Sequence, residues 1–171
     1  MTHATFLSPL GPVTVTATDG AIVALNWGEA GCGLLDPLVR MAVEELQAYF
    51  EGHLRQFNVP LKPAGTTFQR RVWAALTAIP CGETRSYGAL ADELGSGPRA
   101  VARACAANPI PIIIPCHRVI GADGSLTGYS GGSGIDTKAW LLRHEGAAVT
   151  TPTPLTRRLQ GNAHATRDCS L

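Results

Sequence analysis

Between Thr5 and Trp27 apolar and polar residues largely alternate, and two turn-forming runs, Pro9-Leu10-Gly11-Pro12 and Asp19-Gly20, interrupt the alternation. A period of two puts one face of each strand on a core and the other in water, so this stretch predicts a small antiparallel meander. The period then lengthens. Asp36 followed by Pro37 has the form of a helix cap and first turn, Leu38, Val39, Ala42, Leu46 and Tyr49/Phe50 recur on one helical face, and Gly52 ends the run. Residues 52–65, with Pro60 and Pro63, read as a crossing connection rather than an element.

From Thr66 onward the pattern is helical. Thr66 and Gln69 fit a capping box, and Phe68, Val72, Leu76 and Ile79 form a stripe that stops at Pro80. A short helix from Ser86 to Leu94 closes on Gly95, and another runs from about Pro98 to Ala107 before Asn108-Pro109. Two short helices across a tight glycine-containing turn have the outline of a helix-turn-helix, an outline that many helical hairpins share. The run Ile110–Pro115 is apolar enough to be a fully buried strand leading to Cys116, and a glycine-rich loop over 121–134 leads to a last helix, Asp136–His144. The expected class is α+β: an antiparallel-sheet lobe with its connection over 1–65 and a mainly helical domain over 66–149. Residues 150–171 lack periodicity and predict a flexible tail.

Composition adds little to this until it is divided along the chain. With 45% hydrophobic and 16% charged residues the sequence is that of an ordinary globular protein, and it contains no apolar run of about 18 residues that could span a membrane. The N-terminal MTHATFLSPLGP lacks the basic start and apolar core of a leader, so a cytosolic protein is expected. The formal charge is only +1, but residues 1–65 carry three cations against six carboxylates, and residues 66–118 six arginines against three carboxylates. A polyanion would therefore prefer the second half. The five cysteines are widely spaced, with no C-x-x-C pair and no neighbouring histidine pattern, so neither disulfides nor a metal site is expected.

One dipeptide carries candidate chemistry. Cys116 precedes His117; a thiol is a poor nucleophile until a base or a positive environment makes it a thiolate, and a histidine oriented by a carboxylate such as Glu145 can take that proton. By itself a Cys-His pair is more often structural, a buried cysteine beside a surface histidine.

The longer string Asn108-Pro109-Ile110-Pro111-Ile112-Ile113-Ile114-Pro115-Cys116-His117-Arg118-Val119-Ile120-Gly121 changes that balance. It closely resembles the active-site signature of the O6-alkylguanine-DNA alkyltransferases, whose core is P-C-H-R-V. FQRRVWAAL, IPCGETRSYGALA, PRAVARACAANP, GSLTGYSGG and KAWLLRHEG resemble that family's blocks in the same order over roughly residues 66–146. The resemblance implies a winged-helix-like DNA-binding domain and a single-use, monomeric repair protein that needs no cofactor. Its partner would be duplex DNA containing O6-alkylguanine, entered through the minor groove. Activity on O4-alkylthymine and cooperative neighbours on DNA stay open.

The resemblance also implies residue roles. Cys116 would accept the alkyl group, His117 would take its proton through a water, Glu145 would orient the imidazole, and Asn108 would brace the turn. Tyr87 would hydrogen-bond the guanine, Tyr129, Ser130 and Gly131 would wall the base, and the carbonyls of Cys116 and Val119 would meet its amino group. Arg99 would fill the space left by the flipped nucleotide, on a helix whose small residues, including Ala100 and Ala102, suit a narrow groove. Arg103 is the alternative for that gap, or for a phosphate. Two departures affect loop shape: the Leu94–Arg99 segment is about two residues shorter than usual in the family, and Ser133-Gly134 resembles an insertion.

Overall fold

The computed structural model describes residues 1–31, 33 and 36–149; the tail expected over 150–171 lies outside the described residues. The meander is present as β1 (Thr2–Ser8), β2 (Gly11–Thr18) and β3 (Ala21–Trp27), paired antiparallel in that order. Each turn has its chemical reason. Asp19 and Gly20 both take positive φ, 49° and 74°, the conformation that two-residue hairpins need and that Asp-Gly readily supplies. Val13, Val15, Ile22 and Leu25 turn inward onto α1 (Pro37–Phe50), whose Val39, Ala42, Leu46 and Tyr49 are buried. Asp36 caps this helix by accepting from the Leu38 amide, with Pro37 in the first turn as expected.

The connection after α1 is irregular, but not idle. Ile22 donates to the Pro60 carbonyl and accepts from the Lys62 amide, so the connection adds a single bridge along β3. On the same strand, the Leu25 amide donates to the Pro109 carbonyl. The N-terminal sheet is thus hydrogen-bonded to the segment that leads to Cys116.

The helical part contains α2 (Thr67–Thr77), β4 (Arg85–Ser86), α3 (Tyr87–Leu94), α4 (Pro98–Ala106), β5 (Val119–Ile120) and α5 (Ile135–His144). The capping box forms in both directions between Thr66 and Gln69, and Gly95 closes α3 in the left-handed region at φ 63°. α3 and α4 make the helix-turn-helix, and the short parallel pair β4–β5 braces its start. Trp73 of α2, 2% exposed, donates its indole N–H to the Ala104 carbonyl of α4. One apolar core, from Val13 and Leu46 through Trp73 and Leu90 to Ile114 and Leu141, runs through both parts. Among the described residues no helix is long and apolar enough to cross a membrane.

The expected strand at Ile110–Pro115 is a correction. The segment is buried, but it is a compact turn: the Ile114 amide returns to the Ile110 carbonyl, and the Cys116 amide to the Ile114 carbonyl. Ile112 sits at φ 74°, unusual for a β-branched residue. Pro111 and Pro115 have no amide hydrogen for a ladder, and Asn108 supplies side-chain partners that a strand would have found in a neighbour.

Thr66→Ala removes one arm of the capping box and should lower the unfolding free energy by about 1 kcal/mol. Urea unfolding of the two proteins measures this, with the denaturant slope expected to stay the same.

Candidate active site

The turn that replaces the strand is held by one side chain. Asn108 Oδ1 accepts from the Ile110 amide at 3.0 Å, while its Nδ2 donates to the Ile114 carbonyl at 2.8 Å and to Cys116 Sγ at 3.2 Å. Cys116 opens a single 3₁₀ turn, Cys116–Arg118, and is only 6% exposed. Burial pushes its thiol above the ordinary value, while the Asn108 amide and the positive charge of Lys138 pull the other way. At neutral pH the group is held as a thiol that a base must deprotonate.

His117 and Glu145 lie together below it, both buried. His117 Nε2 is 2.7 Å from Glu145 Oε1. A carboxylate can only accept, so Nε2 carries the hydrogen and Nδ1 is left as a bare lone pair; it is buried and has no hydrogen-bond partner among the described residues. Burial lowers the pKa of His117 more than Glu145 raises it, so the ring is neutral at pH 7. The tautomer is the one a general base requires.

Glu145 closes α5 and gathers donors from three other segments. Tyr49 Oη of α1 donates to Oε1 at 2.7 Å; Arg118 donates through Nε to Oε2 at 2.9 Å and through Nη2 to Oε1 at 3.0 Å; the Gly82 amide reaches Oε2 at 3.4 Å. Burial works against the charge, but the hydrogen bonds from His117 and Arg118 overcome it and hold the carboxyl well below the usual carboxylate range. A carboxylate so well satisfied is a weak base. It orients the imidazole without taking its proton.

A cleft of about 510 Å³ is walled by Tyr87, Pro98, Arg99, Ala102, Ala106 and the Thr127–Ser130 loop. Tyr87, at the start of α3, donates to the Thr127 carbonyl at 3.1 Å, and burial pushes its phenol up to about 12. The Tyr129 hydroxyl is buried without a hydrogen-bond partner among the described residues, and Ser130 Oγ donates to the Ala106 carbonyl at 3.3 Å. Gly131 admits no side chain, because a Cβ there would stand 2.6 Å from Trp27 Nε1 and 2.8 Å from the Tyr129 ring. Val119 is buried in β5. Arg99 lines the cleft; Arg103 and Ala100 do not, and Arg103 is exposed on the same helix. A cavity of about 580 Å³ lies elsewhere, beside Cys81 and Arg55, and Cys116 is on the wall of neither space.

Two family models cover nearly all of the described chain. Residues 67–147 match the 6-O-methylguanine DNA methyltransferase DNA-binding domain, and residues 1–63 match the ribonuclease-like domain of the same proteins. The chain belongs to the 6-O-methylguanine DNA methyltransferase family. A methylated-DNA–protein-cysteine methyltransferase of Methanosarcina acetivorans is 45% identical over 157 residues, covering 86% of this chain and 99% of the relative. One from Mycobacterium tuberculosis is 47% identical over 152 residues, covering 84% and 91%. The crystal structure of Mycobacterium tuberculosis OGT in complex with DNA superimposes with a TM-score of 0.74 at 46% identity, covering 84% of this chain and 92% of that one.

Within this methyltransferase fold, sequence reasoning overlooked three polar side chains that meet the predicted ones. Arg118 stood inside the P-C-H-R-V string and was counted only in the charge balance; it is 5% exposed and forks onto Glu145. Tyr49 read as one more apolar position of α1. Lys138 sat within a matched block, yet it is completely buried. A cationic residue beside a buried motif was the available signal for Arg118; for Tyr49, 96 residues from Glu145, there was none.

Glu145→Gln should strand the Arg118 guanidinium in the interior and cost about 3–5 kcal/mol at pH 7. Because Glu145 titrates below its unfolded value, its contribution is complete above the ordinary carboxylate range and drains away as the pH falls through about 4 and lower. Thermal melts from pH 7 to pH 3 should therefore show the gap between wild type and variant closing on acidification.

Proposed function

We propose that this chain reverses alkylation damage in DNA: Cys116 takes the alkyl group from O6 of guanine in a duplex and keeps it. The observation that carries the reading is a buried thiol held by Asn108, next to a neutral histidine whose only free nitrogen is basic, in a chain of the methyltransferase family. The thiol proton passes to His117 Nδ1 through one water. The thiolate attacks the alkyl carbon in line, the carbon–O6 bond breaks, and its electron pair returns to the guanine, which takes up the proton given by the thiol. The product is a thioether with no acyl or phosphoryl centre for water to attack. Each molecule therefore acts once.

The cleft suits a flipped nucleotide. Extruding a base costs a few kcal/mol, and we assign the gap to Arg99 over Arg103; its place on the cleft wall, which Arg103 does not share, supports that choice. Arg103, exposed on the same helix, suits a phosphate. Small Ala100 and Ala102 let α4 approach a narrow groove. Tyr87 serves as the donor to the leaving base, and Tyr129, Ser130 and Gly131 close the pocket around it, with the carbonyls of Cys116 and Val119 reading its amino group. We take residues 1–65 as a supporting lobe and 66–149 as the catalytic and DNA-binding unit. A cytoplasmic location fits, since an acceptor thiol must stay reduced.

Mixing the protein with a duplex carrying O6-methylguanine should add one methyl group per protein molecule and restore guanine in the DNA, and Cys116→Ala should abolish both. Intact-protein and oligonucleotide mass spectra read the two sides of the transfer. A protein that shifts the lesion duplex in a gel while both masses stay unchanged would defeat the assignment in favour of a damage binder. Arg99→Ala should slow transfer from the duplex at least tenfold while leaving the salt dependence of binding nearly intact; Arg103→Ala should instead reduce the salt slope by about one phosphate contact.

A further inference from the structure

Tyr49 belongs to the first lobe and is absent from the cleft wall, yet its hydroxyl ends on the oxygen that orients the base. Glu145 Oε1 accepts from three donors: Tyr49 Oη at 2.7 Å, His117 Nε2 at 2.7 Å and Arg118 Nη2 at 3.0 Å. A carboxylate oxygen offers about two lone-pair sites, so the three compete for one patch of negative charge. Whatever Tyr49 draws is withheld from His117.

The tyrosine is held in that position from every side. It is 1% exposed, its carbonyl accepts from His144 Nε2 at 2.6 Å, and its ring meets His144 edge-on at 5.2 Å and Phe57 at 5.5 Å between centres. Burial, and then the charge and hydrogen bond of Glu145, push the phenol well above its ordinary value, so it stays a donor throughout the neutral range. The other charged or titratable groups facing the Tyr49–Glu145–His117 contact are Arg118 on the 3₁₀ turn, Lys138 and His144 on α5, and Cys81 before β4. An isosteric change at position 49 leaves all four in place.

We infer that Tyr49 is a positioning residue of the acceptor site: by donating to Glu145 Oε1 it limits the hold of the carboxylate on the His117 imidazole, so that the base can both take a proton and pass it on. In the proposed transfer Nδ1 receives the thiol proton and later yields it to the guanine. A carboxylate whose charge fell wholly on the Nε2 hydrogen would favour the charged ring and keep the proton there. Burial is what chiefly keeps His117 neutral, and Glu145 works against it. Tyr49 moderates that opposing pull. The part played in transfer rests on the repair reading; the effect on the imidazole does not.

The test uses the full chain. Tyr49→Phe keeps the ring and deletes the donor, whereas replacing Tyr49 with 3-fluorotyrosine keeps the shape and gives a more acidic, stronger donor. The buried His117 Nε2 proton reports its bond to Glu145 by ¹H–¹⁵N NMR at pH 7, without any DNA. That resonance should move downfield in Tyr49→Phe and upfield with 3-fluorotyrosine. In transfer from an O6-methylguanine duplex, the acid limb of the rate profile should shift up by about one pH unit in Tyr49→Phe, making it about tenfold slower there, with the gap closing towards pH 8. A resonance that coincides in the three proteins or moves the same way in both variants, or a transfer deficit equal at every pH, would overturn the inference and leave Tyr49 a packing residue. Should Tyr49→Phe not fold, the fluorotyrosine protein decides: an upfield shift supports the inference and an unmoved resonance overturns it. Shifts of opposite sign in proteins that move no methyl group from DNA, the wild type included, would sink the repair reading alone.

Discussion

The Glu145 carboxylate is the point on which the rest of the site depends. It is buried, and a buried anion is tolerable only when its lone pairs are filled. Here they are filled by a tyrosine from the N-terminal lobe, a backbone amide before β4, a histidine, and both arms of an arginine. Together they fix three segments against α5: α1, the chain before β4 and the 3₁₀ turn. The same hydrogen bonds that make the anion affordable also set the imidazole tautomer, so stability and chemistry draw on one interaction. Burial, with the arginine's charge adding to it, keeps the histidine neutral, and its remaining nitrogen is available as a base.

Above this anchor the thiol is placed by a turn, not by a regular element. Asn108 uses its side chain in both directions, accepting from Ile110 and donating to Ile114 and Cys116, and so stands in for a neighbouring strand. The turn also ties to β3 through Pro109, which carries the position of the sheet directly to the nucleophile. The loop behind the cleft depends on the absence of a side chain. Gly131 lets Trp27 of the sheet and Tyr129 of the loop come together where even a methyl group would collide.

Much of this was legible in the sequence, and the reason is locality. Asp36 with Pro37, Thr66 with Gln69, Gly95, and Asp19-Gly20 act within a few residues of themselves, so the chemistry that ends or turns each element is written beside it. Cys116, His117, Glu145 and Asn108 were also named in advance, and they do meet. The Ile110–Pro115 run was misread because an apolar stretch has no period to distinguish strand from turn, and the two prolines that forbid a ladder were outweighed by the isoleucines. Arg118, Tyr49 and Lys138 were missed for a different reason. Their meaning lies in partners far along the chain, and a charged or aromatic side chain looks the same in sequence whether it faces water or a buried anion.

Tyr49 has one further consequence. The lobe before residue 65 contributes nothing to the walls of the cleft, and a chain cut after Gly65 would keep the cysteine, the histidine, the glutamate and the helix-turn-helix. It would also lose the phenol on Glu145 and the aromatic cover that Tyr49 and Phe50 lay over His144 and Trp140. The border between the two lobes is therefore a seam in the polypeptide but not in the proton circuit. The smallest working unit of this protein is larger than the list of residues that would touch a substrate.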